Sequence, residues 1–254
     1  MNALVLAAGV GSRLKPYTDA CPKPMLPVGG EPILGYNFAM LARSAFRDVV
    51  VNLHYLPAIV RDYGGDGSRW GLTLTYSQED QLLGTGGALA PFRDRFARGT
   101  FAVVYGDNVN DLDLKEMLRF HEWRTAAVTI AVTERDEVSH SGVCELAPDD
   151  RVIGFTEKPT PGTARSHWVN AGVLIAQPSL LDAIGVEVPA DIGRNVLPAM
   201  LERGAPIYAY RMRGRHWWFD RASDYERAQH DVDLEKLARR LLRASADESG
   251  GHNS

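Results

Sequence analysis

Leu6-Ala7-Ala8-Gly9-Val10-Gly11-Ser12-Arg13-Leu14-Lys15-Pro16 and, shortly after it, Pro22-Lys23-Pro24-Met25-Leu26-Pro27-Val28 decide how the rest of the chain is read. The apolar run Ala3–Ala8 has the composition of a strand buried on both faces, and it empties into a glycine-rich turn. In α/β proteins, ligands gather at that carboxyl edge of the sheet. Glycines at 9 and 11 let main-chain N–H groups approach an anion that a Cβ would hold off. Two common phosphate motifs fail on spacing. A dinucleotide fingerprint needs Gly at 14, where Leu stands, and a P-loop needs Gly-Lys-Ser/Thr after its first glycine. Arg13 offers a planar fork for two phosphate oxygens, and Lys23 offers a compact charge on backbone restricted by two prolines. A Gly-x-Gly turn taken alone is also what an ordinary surface turn looks like.

Outward from this turn, apolar strand-like runs alternate with helical stretches. Pro32–Arg43 carries a helical apolar stripe, Asp48–His54 is β-branched, and Leu56–Tyr63 reads as a short helix ended by Gly64-Gly65. Leu72–Ser77 and Phe101–Tyr105 read as strands, Gly86–Phe96 and Leu112–Trp123 as helices, and Val128–Thr133 as a strand. Such alternation predicts an α/β fold, doubly wound on a mixed, mainly parallel sheet. In the second half, Gly142–Leu146 and Val152–Glu157 read as a hairpin around Ala147-Pro148-Asp149-Asp150. Val169–Ala176 and Ile207–Met212 read as strands, and Asp191–Glu202 as a helix interrupted at Pro198. Ser223–Arg243 reads as one long helix. The reading is a single domain over residues 1–244, with a small β-rich insertion and a disordered tail over 245–254.

Composition narrows the function classes. The 254 residues carry 28 Lys+Arg against 32 Asp+Glu, a formal charge of −4, so nothing recommends a nucleic-acid surface. Cys21 and Cys144 alone exclude a disulfide framework and fit a reducing, cytoplasmic setting. No apolar run is long enough for a membrane span or a signal-peptide core. Only five lysines occur (15, 23, 115, 158 and 236), which makes their positions more informative than those of the arginines.

The opening string resembles the sugar-1-phosphate nucleotidylyltransferase family, whose members commonly begin Leu-Ala-(Ala/Gly)-Gly-x-Gly-(Thr/Ser)-Arg-Leu-x-Pro followed by Pro-Lys-Pro-(Met/Leu). The resemblance extends through Asn52-Leu53-His54-Tyr55-Leu56-Pro57, Tyr76-Ser77-Gln78-Glu79, Leu83-Gly84-Thr85-Gly86-Gly87 and Asp191-Ile192-Gly193-Arg194-Asn195. In these stretches it is similar to the members that make GDP-sugars. It implies a Rossmann-like, GT-A-like fold. Residues 1–135 would be mainly nucleotide-binding, 136–220 mainly sugar-phosphate-binding, and 222–244 a C-terminal helix. It also implies nucleotide contacts from Leu6, Ala8, Gly9, Gly11, Ser12, Arg13, Glu79, Gly84 and Thr85. A carboxylate at 79 suits the adjacent donors of guanine, N1–H and N2–H₂. A solvated Glu79 in a polar loop is the competing reading, and uridylyl-transferring relatives also carry Glu there.

Gly106-Asp107-Asn108 follows a buried strand, so the Asp107 carboxylate is expected at the same sheet edge as the glycine turn. A triphosphate needs Mg²⁺, which prefers one or two carboxylates plus phosphate oxygens and water. The resemblance makes Asp107 one ligand and Asp220, in Trp217-Trp218-Phe219-Asp220-Arg221-Ala222-Ser223, the second. Ala222 and Ser223 replace the family's Gly-Thr, and Asp220 could instead cap the following helix. For the sugar phosphate, the resemblance implies Gly142, Glu157, Lys158, Val169 and Asn170. A surface Glu157–Lys158 pair of little energetic worth is the plain alternative. Lys23 and Lys158 are two of the five lysines, and both fall on anion-binding positions of the pattern. His54 and His216 lack ligand spacing, and Trp217 and Trp218 read as core or rim aromatics.

The chemistry implied is in-line attack of a sugar or cyclitol 1-phosphate on the α-phosphorus of an NTP, GTP favoured, releasing pyrophosphate. The nucleophile is already anionic, so neutralising and positioning two polyanions is the main task, and it falls to Arg13, Lys23, Asp107 and Asp220. The length leaves no room for the C-terminal β-helix acyltransferase domain of some relatives. Homo-oligomerisation stays open. So do dTTP or UTP as donor, a phosphocholine cytidylyltransferase with an aromatic cage, and a non-catalytic nucleotide-sugar-binding regulatory subunit.

Overall fold

The structure is a computed structural model that describes residues 1–185 and 188–249, with side chains as far as residue 241. In chain order it contains β1 (Asn2–Leu6), β2 (Pro27–Val28), β3 (Glu31–Pro32), α1 (Ile33–Ala42), β4 (Asp48–Leu53), α2 (Pro57–Gly64), β5 (Thr73–Gln78), α3 (Gly84–Gly87) and α4 (Arg93–Phe96). Then come β6 (Phe101–Tyr105), β7 (Val109–Asn110), α5 (Leu114–Trp123), β8 (Val128–Glu134), β9 (Gly142–Leu146), β10 (Val152–Glu157) and β11 (Trp168–Ala176). The last are α6 (Ser179–Asp182), α7 (Leu197–Glu202), β12 (Ile207–Arg211), β13 (His216–Trp217), α8 (Ala222–Ala228) and α9 (Val232–Ser249). Strands alternate with helices around a mixed sheet, so the expected α/β class holds.

The chain divides into two compact units that interleave along the sequence. The first, here the glycine-turn unit, holds Ala3–Gln81, Val104–Leu114 and the chain from Gly214 onward. In it β1, β4 and β5 lie side by side in that order, with β4 and β5 parallel and Asp48 opposite Thr73. The end of β6 flanks β1, and the Gly106 N–H donates to the Leu6 carbonyl at 2.9 Å. Helix α1 is buried from Ile33 to Leu41 with no polar face, as a helix enclosed on all sides must be.

The second, here the hairpin unit, holds Met1–Asn2, Leu82–Val103 and Lys115–Arg213. Strands β9 and β10 form the expected antiparallel hairpin, with Glu157 opposite Gly142. Strand β8 pairs antiparallel with β11 and parallel with β12. Strand β11 carries an irregularity between Asn170 and Leu174 that contains Gly172 at φ 78°. His121 is fully buried between Thr129 and Gln177.

Four expectations need correction. Gly86–Phe96 is not one helix: the Gly86 and Gly87 amides donate to the Ala190 carbonyl, and Pro91 brings no N–H to continue a ladder. Asp191–Glu202 breaks one residue before Pro198, where a wide turn over Ile192–Val196 gives way to α7. Pro198 then sits in a helical first turn that needs no N–H from it. The long helix Ser223–Arg243 is two helices, because Asp231 accepts from the Asp233 and Leu234 amides and starts α9 afresh. Helix α9 continues to Ser249, into the stretch expected as a disordered tail, and residues 250–254 lie outside the described residues.

Candidate active site

In the glycine-turn unit, β1 delivers Ala7 and Ala8 to the turn as buried residues and leaves Gly9 and Val10 exposed. Gly11 adopts φ 66°, which a side chain would strain, and a Cβ there would lie 3.0 Å from the Lys23 Cβ and 3.1 Å from Thr18 Cγ2. Gly9 is different. Its φ lies outside the left-handed region, and a Cβ built on it meets no atom of the described residues within 4 Å. The fold itself has no use for glycine at 9.

Three polar ties brace the turn. Thr18 Oγ1 donates to the Gly11 carbonyl, and the Tyr55 hydroxyl lies 2.9 Å from the Thr18 and Asp19 carbonyls. At the other end, the Ala7 N–H donates to Asn52 Oδ1 at 2.7 Å. Leu6 is half-buried and Ser12 exposed; Ser12 opens a tight turn in which the Leu14 N–H returns to the Gly11 carbonyl.

The two aspartates arrive together for a topological reason. Strand β7 pairs antiparallel with β13, Val109 opposite Trp217. Asp107 precedes one strand and Asp220 follows the other, so both leave the same end of this short ribbon. Asn37 secures that end by donating to the Asn108 carbonyl at 3.1 Å. Lys23 Nζ lies 2.7 Å from Asp107 Oδ2, its own side chain only 9% exposed against 35% for the aspartate. Arg13 reaches Asp220 Oδ1 at 3.4 Å. Arg13 follows the glycine turn and Lys23 packs against its Gly11, and each is paired with one of the two aspartates. Asp220 does not cap α8: Arg221 stands at the N-cap, and its N–H donates to Asp224 in a capping box.

Among the described residues no group of three or more His, Cys, Asp or Glu side chains could cage a metal. The two carboxylates at one end of the β7–β13 ribbon, Asp107 and Asp220, are instead of the kind and number that suit Mg²⁺, which takes one or two carboxylates and keeps several waters. Glu79 departs from the solvated-loop reading. It is 5% exposed, hence not a solvated loop residue, and Oε1 accepts from Asn52 Nδ2 at 2.9 Å.

In the hairpin unit lie the remaining expected residues, of which Thr85, Gly84 and Glu157 lie near Asp191 or its neighbours. Thr85 Oγ1 donates to Asp191 Oδ2 and accepts from the Ile192 N–H, while Asp191 Oδ1 takes the Gly193 and Arg194 amides. Gly84, at φ 82°, packs against the Ala190 backbone. Gly142 has a reason within the protein, since a Cβ there would meet the Phe155 ring and come 2.8 Å from Glu157 Oε2. Burial pushes the Glu157 carboxyl up, and the Asp191 charge adds to this. Lys158 and Arg194 oppose both effects. Lys158 holds a left-handed φ of 51°, costing on the order of 1 kcal/mol, with Nζ 3.8 Å from Glu157. Asn170 Oδ1 accepts from the Gly172 N–H at 2.8 Å. Val169 is fully buried against Val138 and Val143, so only its main chain could face a ligand. Sequence reasoning missed Asn52, Thr18 and Tyr55 as braces and Asp191 as an organiser. A turn-forming Asp before Ile-Gly was the one available signal.

A mixed, mostly parallel sheet with helices packed around it and a glycine turn after its first strand defines the class as an α/β protein of Rossmann-like type. The chain belongs to the nucleotidyl transferase family, whose model matches residues 2–232. It is 32% identical over 225 residues to UTP–glucose-1-phosphate uridylyltransferase of Synechocystis sp., covering 84% of this chain and 58% of that protein. It is also 32% identical over 236 residues to mannose-1-phosphate guanylyltransferase of Mycobacterium tuberculosis, covering 92% and 64%. The chain thus spans about three fifths of the length of these curated relatives. A UDP-glucose pyrophosphorylase crystallised with UDP-glucose superposes with a TM-score of 0.76 at 22% identity, over 90% of this chain and 96% of that one, a likeness of fold. No described helix is long and apolar enough to cross a membrane.

Proposed function

We propose that this protein transfers a nucleotidyl group from an NTP to a sugar or cyclitol 1-phosphate, releasing pyrophosphate and forming an NDP-sugar. The observation that carries the reading is the Gly9 position, open on the protein side, in a turn whose Gly11 packs on Lys23 and whose two cations, Arg13 and Lys23, are each paired with an aspartate, Asp220 and Asp107. A glycine with no steric need within the fold is explained by a ligand that must approach its amide.

In this reading the Gly9–Ser12 amides and Arg13 hold the triphosphate, and Lys23 offsets the charge of the incoming phosphate. Asp107 and Asp220 would hold Mg²⁺, which when bound supplies charge neutralisation at the α-phosphate. The acceptor phosphate is already a nucleophile at neutral pH, so no side chain need remove a proton. Orientation and charge compensation make up the catalysis. Glu157, Lys158, Asn170 and the main chain at Gly142 and Val169 are the proposed acceptor contacts.

GTP is the proposed donor, supported by the M. tuberculosis relative, whereas the Synechocystis relative takes UTP by name. Pyrophosphate release measured with GTP, UTP, dTTP, ATP and CTP against a panel of sugar 1-phosphates, Mg²⁺ present, tests both levels. Turnover with one pair supports the reaction and names the substrates. No turnover alongside tight NDP-sugar binding would replace it with a regulatory subunit.

A further inference from the structure

We infer that Asp191 is a positioning residue for Glu157: the turn it ties down walls the slot that holds the Glu157 carboxylate, so Asp191 serves the acceptor sugar phosphate and not the NTP. The inference deepens the proposed function and rests on its reading of Glu157 as an acceptor contact. All the residues concerned belong to the hairpin unit.

Two glycines make room for the carboxylate. A Cβ at Gly142 would come 2.8 Å from Glu157 Oε2, and a Cβ at Gly193 would come 2.5 Å from the same oxygen. Both would also meet the Phe155 ring. Gly142 is held by its strand, where it stands opposite Glu157. Gly193 has no strand to hold it and lies in the wide turn Ile192–Val196. Its φ is not left-handed, so glycine at 193 answers to the space that Glu157 and Phe155 take up and not to a backbone need.

Asp191 is what holds that turn. Both carboxylate oxygens are engaged: Oδ1 accepts from the Gly193 and Arg194 amides at 2.9 Å each, and Oδ2 from the Thr85 hydroxyl at 3.0 Å. Its main chain closes the same turn. The Asp191 N–H donates to Asn195 Oδ1 at 2.8 Å, and its carbonyl accepts from the Asn195 and Val196 amides. Ala190, one residue earlier, is bonded to the main chain of Leu83, Gly86 and Gly87. One end of the turn is thus pinned, and the other presents Gly193 to Glu157. A second link is electrostatic. Burial pushes the Glu157 carboxyl up and the Asp191 charge adds to it, against Lys158 and Arg194, so the state of Asp191 is legible at Glu157 itself.

Three variants test this: D191N, D191A and G193A. Asparagine at 191 can still accept the two amides but carries no charge, alanine does neither, and G193A leaves Asp191 intact while setting a methyl against Glu157 Oε2. Carboxyl-carbon NMR of protein labelled at its glutamates, with E157Q assigning the resonance, follows the Glu157 titration without any substrate. Glu157 should titrate at lower pH in D191N than in wild type, because a like charge has gone. In kinetics, D191A and G193A should each raise KM for the sugar 1-phosphate about tenfold and KM for the NTP less than about threefold, with D191N losing less than D191A. An unmoved Glu157 titration in D191N would overturn the inference. So would equal losses for NTP and acceptor in G193A, or lowered melting temperatures with the acceptor KM unchanged. Absence of turnover in every protein, wild type included, would count against the proposed reaction, while the Glu157 titration would still judge the link to Asp191.

Discussion

Replacing Gly9 by alanine separates what the fold needs from what the ligand needs. No atom beyond the two neighbouring residues lies within 4 Å of the added methyl, and φ is not left-handed, so the native state has room for it. Alanine also reduces the freedom of the unfolded chain, which should stabilise the protein by about 0.4–1 kcal/mol. Binding moves the other way. If the methyl holds the triphosphate off two main-chain amides, and each charge-assisted bond contributes about 1.5 kcal/mol or more, NTP affinity falls by about 100-fold. Gly11→Ala is the counterpart. There φ is 66° and the methyl would crowd Lys23 and Thr18, so stability should fall by about 1–2 kcal/mol along with binding. Urea unfolding and calorimetric titration of NTP with Mg²⁺ read both quantities on the same samples. Gly9→Ala binding NTP as wild type does, or unfolding as readily as Gly11→Ala, would refute the reasoning.

Lys23→Ala removes the cation beside Asp107 and should lower kcat/KM by about 10²–10³-fold. The carboxylate, 35% exposed, regains water and the fold survives, which circular dichroism and steady-state kinetics would check together. Asp220→Asn should raise the Mg²⁺ concentration needed for half-maximal rate at least several-fold; an unchanged metal dependence would remove Asp220 from the proposed pair. His121 makes stability pH-dependent, because burial holds its pKa down at about 4 against 6.5 for the free side chain. Below pH 6.5 the unfolded chain takes up a proton that the folded one refuses. The contribution is therefore complete above 6.5 and shrinks toward pH 4, by about 3 kcal/mol in all. Urea midpoints at pH 7 and 4.5 for wild type and His121→Gln should show the larger acid loss in wild type. Asp231→Ala should fray the start of α9 at a cost of about 1–2 kcal/mol, visible as a lower melting midpoint.

The strand-and-turn punctuation of the chain was legible because its signals are local. Ala3–Ala8 and Phe101–Tyr105 are runs of apolar residues ended by glycine, and the hairpin turn at 147–150 carries Pro and Asp. What escaped depended on partners far along the chain. Gly86 and Gly87 look helical until the Ala190 carbonyl claims their amides, and no window of sequence contains both. Asp231 looks like one more polar position on a helix face until its side chain caps the next turn. Glu79 was open to two readings because its burial is set by β4 and its partner by Asn52, neither visible from its own neighbours. Gly9 and Gly142 both fit a ligand motif, and only the second also has a packing reason within the protein, from Phe155 and Glu157.

The two-residue ribbon of β7 and β13 has a consequence for biogenesis. Asp107 leaves the ribosome early, whereas its companion Asp220 belongs to a segment made more than a hundred residues later. A nascent chain can complete its glycine turn and the first carboxylate well before the second exists. Until residues 216–217 zip onto 109–110, Asp107 has its early partner Lys23 but not Asp220 beside it, and the paired aspartates assemble late, with the closing of one long-range contact.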